Sequence, residues 1–141
     1  MRQDDPRMRV ILHDLQERAK ELNCLYHVGE LLAHPDWRLE QTFQAIVKVL
    51  PTGWQYPDLC SARIPFEDMA FEPSNFVSTP WTQSTNIVVQ GQPAGTIEVA
   101  YREQLPTCDD GPFLKEERKL LETVAERIAD AIMQRRLKAA F

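Results

Sequence analysis

The sequence predicts an α+β protein of two layers, in which helices cover one face of an antiparallel sheet. Near both ends of the chain, apolar residues recur at steps of three and four, which is typical of amphipathic helices. Between residues 59 and 101, apolar and polar residues alternate instead, which is typical of half-buried strands. Because this alternation makes one sheet face apolar and the other polar, we expect the N- and C-terminal helices to pack on the apolar face only.

The first helix is predicted to run from Asp5 to about His34. Asp5 can cap the first turn, Pro6 suits the first helical position, and Pro35 disfavours helical geometry in the residue before it. An unbroken heptad repeat then consists of Met8, Leu12, Leu15, Ala19, Leu22, Tyr26 and Gly29. Such a repeat is the seam of a coiled coil. A helix of this length spans about 42 Å, more than a domain of this size needs, so we expect it to project and to pair with another helix.

Shorter elements are predicted in the next part of the chain. A second helix is expected near Arg38–Leu50 and is ended by Pro51 and Gly53. Strands are expected at Leu59–Ile64 and Met69–Glu72, where the apolar period changes to two.

A hairpin and a long helix are predicted to complete the chain. The strand Trp81–Gln90 is expected to turn at Gln90–Pro93 into a partner strand that ends at Tyr101. The final helix is predicted over Asp110–Lys138, with Pro112 at a position where a missing N–H is harmless.

The two terminal helices are predicted to hold a parallel homodimer. The final helix repeats the spacing of the first at four of its apolar residues. The residues predicted at the dimer interface are Leu12, Leu15, Ala19, Leu22, Tyr26, Leu121, Val124, Ile128 and Ala131.

Four polar residues are expected to face one way on the sheet. They are Arg63, Ser84, Asn86 and Glu98. We interpret them either as a docking surface or shallow ligand site, or as a solvated sheet face.

Composition excludes several classes of protein. A length of 141 residues fits one domain, which we divide into a coiled-coil helix over residues 1–34 and the domain proper over 35–141. The net charge of −5 argues against nucleic-acid binding, and no apolar run is long enough for a membrane span. The three cysteines lack metal-site or disulfide spacing, so we expect reduced thiols, no metal and a cytoplasmic location.

The order of elements and several motifs resemble the GAF domain. The motifs that resemble its last strand and closing helix are Gly95–Val99, Phe113–Leu121 and Val124–Ile132. Those that resemble a compact GAF-like group of bacterial and archaeal sensor proteins are Trp54–Pro57, Cys60–Ile64 and Pro80–Ser84. The resemblance implies a regulatory module of cytoplasmic signal transduction, such as a two-component system, that acts on an output domain or partner protein.

The resemblance also bears on cofactors and catalysis. GAF domains that enclose a cofactor carry extra helices where this chain has only Pro73–Pro80, so we expect no cofactor and no bound haem, flavin or bilin. No catalytic constellation is recognisable, and we expect no enzyme activity. Two alternatives stay open: a GAF-fold enzyme such as a methionine sulfoxide reductase that uses loop cysteines, and a passive dimerisation domain.

Overall fold

The computed structural model describes residues 5–141 and contains three α-helices and four strands. In chain order they are α1 (Pro6–Leu32), α2 (Leu39–Val49), β1 (Cys60–Phe66), β2 (Met69–Phe71), β3 (Thr82–Val89), β4 (Gln92–Tyr101) and α3 (Lys115–Ala140). A 3₁₀ turn, Leu50–Gly53, follows α2. The predicted α+β class is confirmed. The first four residues of the predicted segment 1–34 lie outside the described residues.

The four strands form one antiparallel sheet in the order β2-β1-β4-β3. Along β4, Ile97, Val99 and Tyr101 are buried on the face that the helices cover, while Thr96 and Glu98 lie on the other face. The sheet is therefore apolar on one face and mainly polar on the other, as its alternation predicts.

The helices that cover the sheet are α2 and α3, which corrects the prediction that the N-terminal helix does so. The helix α2 packs on β1 and β2, and α3 packs on β3 and β4. The helix α1 packs instead on α2, α3 and the Leu50–Gly53 turn. A Cβ atom at Gly53 would lie 2.7 Å from Leu120 Cδ2 and 3.0 Å from Cys24 Cβ, so glycine permits this close approach of both helices.

The helices α1 and α3 run in the same direction but are displaced along their axes. One cleft lies between Asp14 and Leu114, just before α3 begins, and a second lies between Leu25 and Thr123. Beyond the end of α1, Arg135 donates a hydrogen bond of 3.0 Å to a backbone carbonyl, that of Trp37. The first turns of α1 therefore extend past the start of α3.

Several element boundaries differ from the prediction by one or more residues, and two of these differences are caused by tight turns. The final helix begins at Lys115 rather than Asp110, since Asp110 and Phe113 exchange backbone hydrogen bonds of 2.9 Å around Gly111, which has a φ of 56°. The β3–β4 turn is only the pair Gln90 and Gly91, with φ of 54° and 76°, so β4 begins at Gln92.

Candidate functional site

The predicted seam of α1 is exposed on the single chain. Met8, Leu12, Leu15, Leu22 and Tyr26 are between 49% and 64% exposed, and Ala19 is also exposed. The residues by which α1 is anchored in the core, Cys24 and Val28, are fully buried. Heptad geometry puts these two residues on the side of the helix opposite the seam. Most of the seam therefore faces away from the domain and contacts water in one chain, and only Leu22 also lines the cleft between α1 and α3.

The α3 residues of the predicted dimer interface are placed differently. Leu121, Val124 and Ile128 are fully buried in the core of their own chain, and Ala131 is half-buried. The cause is that α3 packs on the β3–β4 side of the sheet, so its apolar face is buried against these strands. The three fully buried side chains cannot also face a partner, so of the predicted interface residues those of α1 are the ones available for dimerisation.

The four polar residues predicted on one sheet face are neighbours in the sheet register. Arg63 and Ser84 both lie opposite Glu98, from the strands on either side of β4. Arg63 Nη1 lies 3.4 Å from Glu98 Oε2, and Arg63 Nε lies 3.6 Å from Glu72 Oε2. Two carboxylates thus compensate the Arg63 charge, and an anionic ligand would have to compete with them. Asn86 sits further along β3, where its side chain accepts a hydrogen bond of 3.4 Å from a threonine hydroxyl.

A buried carboxylate at the start of α3 is a feature that the sequence reasoning missed. The Glu117 side chain accepts hydrogen bonds of 2.7 Å from the backbone N–H groups of both Leu114 and Gln55. On α1, Lys20 donates hydrogen bonds to the Trp54 and Gln55 carbonyls at 3.5 and 3.2 Å. The Trp54–Gln55 segment is therefore bonded to both terminal helices at one junction.

Burial dominates the electrostatics of this junction. Burial raises the pKa of Glu117 from its ordinary value of 4.5 to about 7, while the two backbone N–H donors oppose that rise. Burial also raises the pKa of Tyr101, and the nearby Glu117 carboxylate adds to that effect. In the sequence, Glu116 and Glu117 look like equivalent first-turn acids that favour the helix dipole. Only Glu117 is buried, because its side chain turns inward to accept from Leu114 at the start of α3 and from Gln55 in the loop before β1.

The cysteines lack the features of a reactive thiol. Burial raises the pKa of Cys24 to about 11 and also raises that of Cys60 well above its usual range. The exposed Cys108 also has a raised pKa, for which partial burial is the largest cause. The thiolate is the nucleophilic form, so none of the three is activated. Within residues 5–141, no group of three or more histidine, cysteine, aspartate or glutamate side chains could hold a metal ion.

Comparisons with known proteins leave the chain without a family assignment. No family model, no curated protein and no solved structure matches it. Within the described part of the chain, no helix combines the length and the apolar character that a membrane crossing requires.

Proposed function

We propose that this chain is a GAF-like regulatory module of cytoplasmic signal transduction that dimerises through α1 and has no catalytic activity of its own. In this role it would act on an output domain or a partner protein of a signalling system, such as a two-component system. It would do so without a tightly bound cofactor.

The observation that carries the proposal is the exposed seam of α1. Five large apolar side chains at heptad spacing contact water in the single chain, whereas exposed apolar surface of that extent is typical of an interaction site. A second copy offers the same seam in the same register, and two such seams form a parallel coiled coil. A parallel pair would also align the two α3 helices in one direction, as a module placed between an input and an output requires.

The sheet face around Arg63 and Glu98 is the second element of the proposal. Its arginine sits between two carboxylates, and the Phe76 ring centroid lies 6.0 Å from Arg63 Cζ. A small polar molecule or a partner that replaces one of these ion pairs would change the contacts between β1, β4 and the loop that follows β2. We assign weak sensing to this face for that reason.

The oligomeric state is the first test. Sedimentation equilibrium of the wild-type chain at micromolar concentrations is expected to give a homodimer. A chain that stays monomeric at high micromolar concentration would rule out the proposed role of α1.

Regulation must be distinguished from passive dimerisation. In a chimera that carries a histidine-kinase core after α3, Arg63→Ala is expected to change autophosphorylation by about fivefold or more while the dimer persists. Unchanged autophosphorylation in a dimer of equal stability would identify a passive dimerisation domain. Turnover of methionine sulfoxide with thioredoxin as reductant would identify the enzymatic alternative.

A further inference from the structure

The outer edge of β3 offers backbone groups that no other strand pairs. The sheet ends at β3, and Tyr101 N donates a hydrogen bond of 3.0 Å to Trp81 O, which fixes the alternation of the ladder. In an antiparallel pair, every second residue bonds to its partner strand and the residues between them point their backbone groups outward. Thr82, Ser84 and Asn86 are therefore the outward residues of β3.

One of these outward backbone groups, the carbonyl of Ser84, already has a hydrogen-bond partner in α3. Arg118 of α3 donates a hydrogen bond of 2.7 Å from Nη1 to the carbonyl oxygen of Ser84. The next outward residue along the strand is Asn86. Within residues 5–141 no hydrogen bond is formed by the N–H or carbonyl of Asn86 outside the ladder. The edge is thus capped at one point and open beyond it.

A groove runs along this open edge, with β3 as one wall and α3 as the other. It has a volume of about 380 Å³ and is lined on the strand side by Thr85, Asn86 and Val88. On the helix side, the small residues Ala125 and Ala129 leave room between helix and strand. An added strand needs a lateral separation of about 4.8 Å from β3, and the small side chains leave that space unfilled.

Three carboxylates line the helical wall of the groove. Glu122, Glu126 and Asp130 are exposed and follow each other at steps of four along α3. None of the ion pairs described for residues 5–141 includes any of them. Arg118 stands four residues before Glu122 and Arg127 three before Asp130, but neither forms an ion pair with these acids in the described residues. Like charges at steps of four disfavour a helix by roughly a few tenths of a kcal/mol per pair, so the repulsion within the row is not offset by these arginines.

The spacing of the acids matches that of an extended chain. Residues four apart on a helix are separated by about 6 Å along its axis. Alternate residues on a strand, which point to the same side, are separated by about 6.6 Å. A strand with a basic residue at every second position would therefore bring successive cations to successive carboxylates.

We propose that the groove between β3 and α3 binds an extended, lysine- or arginine-rich segment of a partner protein as a fifth strand of the sheet. The outward backbone groups of β3 supply the main-chain bonds, and the three carboxylates select the basic side chains. A second copy of this chain does not fit, because pairing two β3 edges would bring two rows of carboxylates together. The site contains no residue of α1 and is independent of the proposed dimer.

The test uses a fluorescent peptide of alternating lysine and valine, as long as the eight-residue β3, and fluorescence anisotropy with the wild-type chain. The wild type is expected to bind this peptide. The combined change Glu122→Gln, Glu126→Gln and Asp130→Asn is expected to weaken binding about tenfold or more. The matched control is Asp36→Asn, Asp68→Asn and Glu103→Gln, which alters net charge equally at exposed positions outside the groove and is expected to leave affinity unchanged.

Backbone pairing is tested with two N-methylated peptides of the same charge. Methylation of the residues whose N–H groups face β3 is expected to abolish binding, whereas methylation of the alternate residues is expected to preserve it. Equal binding of both peptides would reduce the site to charge attraction and overturn the proposal. So would equal weakening by the two sets of charge changes, absence of peptide binding, or association of the chain beyond a dimer that Asn86→Pro removes.

Discussion

The helices α1 and α3 are nearly equal in length and direction, yet they use their apolar residues in opposite ways. They contain 27 and 26 residues, and both repeat apolar residues at steps of three and four. Seven residues of α3 are buried, against two of α1. The helix α3 lies on the sheet, while α1 lies on other helices and a turn. The spacing of apolar residues thus identifies the apolar face of a helix. It does not identify which element packs on that face, because this depends on how the neighbouring elements are arranged.

The largest effect is expected from changing the exposed seam of α1. Leu15→Glu combined with Leu22→Glu places four like charges in the proposed seam of a dimer. We expect dimerisation to weaken by about 3–5 kcal/mol, which is roughly a thousandfold in the dissociation constant. Sedimentation equilibrium measures this change, and circular dichroism is expected to show an intact fold because both leucines are exposed in the single chain. An unfolded variant would mean that the seam packs on its own domain.

The next largest effect is expected from changing the buried apolar face of α3. Leu121→Ala removes a fully buried side chain from the core, and we expect the free energy of unfolding to fall by roughly 2–5 kcal/mol. Urea denaturation measures this loss, in the background of the Leu15→Glu and Leu22→Glu variant so that association does not contribute. In the same background, Leu12→Ala is expected to change stability by less than about 0.5 kcal/mol. Equal losses for both changes would abolish the contrast between the helices.

A smaller effect tests the junction where the two helices meet. The pKa of Glu117 is about 7 in the folded chain and its ordinary value is 4.5. The folded state therefore binds the proton more tightly, so this contribution is complete below about pH 4.5 and is lost as the pH rises to about 7. We expect the free energy of unfolding to fall by roughly 2–3 kcal/mol from this group across that window.

Glu117→Gln is expected to remove this pH dependence. At pH 5 Glu117 is mostly protonated, and its two oxygen atoms can still accept from the N–H groups of Leu114 and Gln55. An amide would direct its NH2 group at one of these donors, so the variant is expected to be less stable than the wild type at pH 5. Between pH 5 and pH 8, the free energy of unfolding of the wild type is expected to fall relative to that of the variant. Glu116→Gln is the control, since Glu116 is exposed, and it should keep the wild-type slope. If the free energies of unfolding of the wild type and of Glu117→Gln changed equally with pH, Glu117 would not be the source of the pH dependence.

Much of the fold could be predicted because it depends on local patterns. The Asp5 cap is confirmed, since its side chain accepts a hydrogen bond of 3.0 Å from Arg7 N. Alternation placed Arg63 and Glu98 on one face, and the register brings them directly opposite each other. The α3 part of the seam could not be resolved, because a stripe that covers a sheet and a stripe that pairs with a helix have similar spacing.

Features formed by residues that are far apart in the chain could not be predicted from the sequence. The residues Lys20, Gln55 and Glu117 come together only when three separate elements pack. Likewise, the groove beside β3 requires knowledge that β3 is an edge strand, which the strand order alone decides. Neither feature has a local signature, because the residues involved are common surface types in sequence.

The junction at Trp54 gives the molecule an internal optical reporter. Trp54 is fully buried, its indole N–H donates a hydrogen bond of 3.2 Å to Gln83 on β3, and its carbonyl accepts from Lys20 on α1. The other two tryptophans, Trp37 and Trp81, are partly exposed. In a chain with phenylalanine at both of those positions, the emission wavelength would come from Trp54 alone. A shift of that emission to the red would then register the moment at which α1 moves away from the Trp54–Gln55 segment.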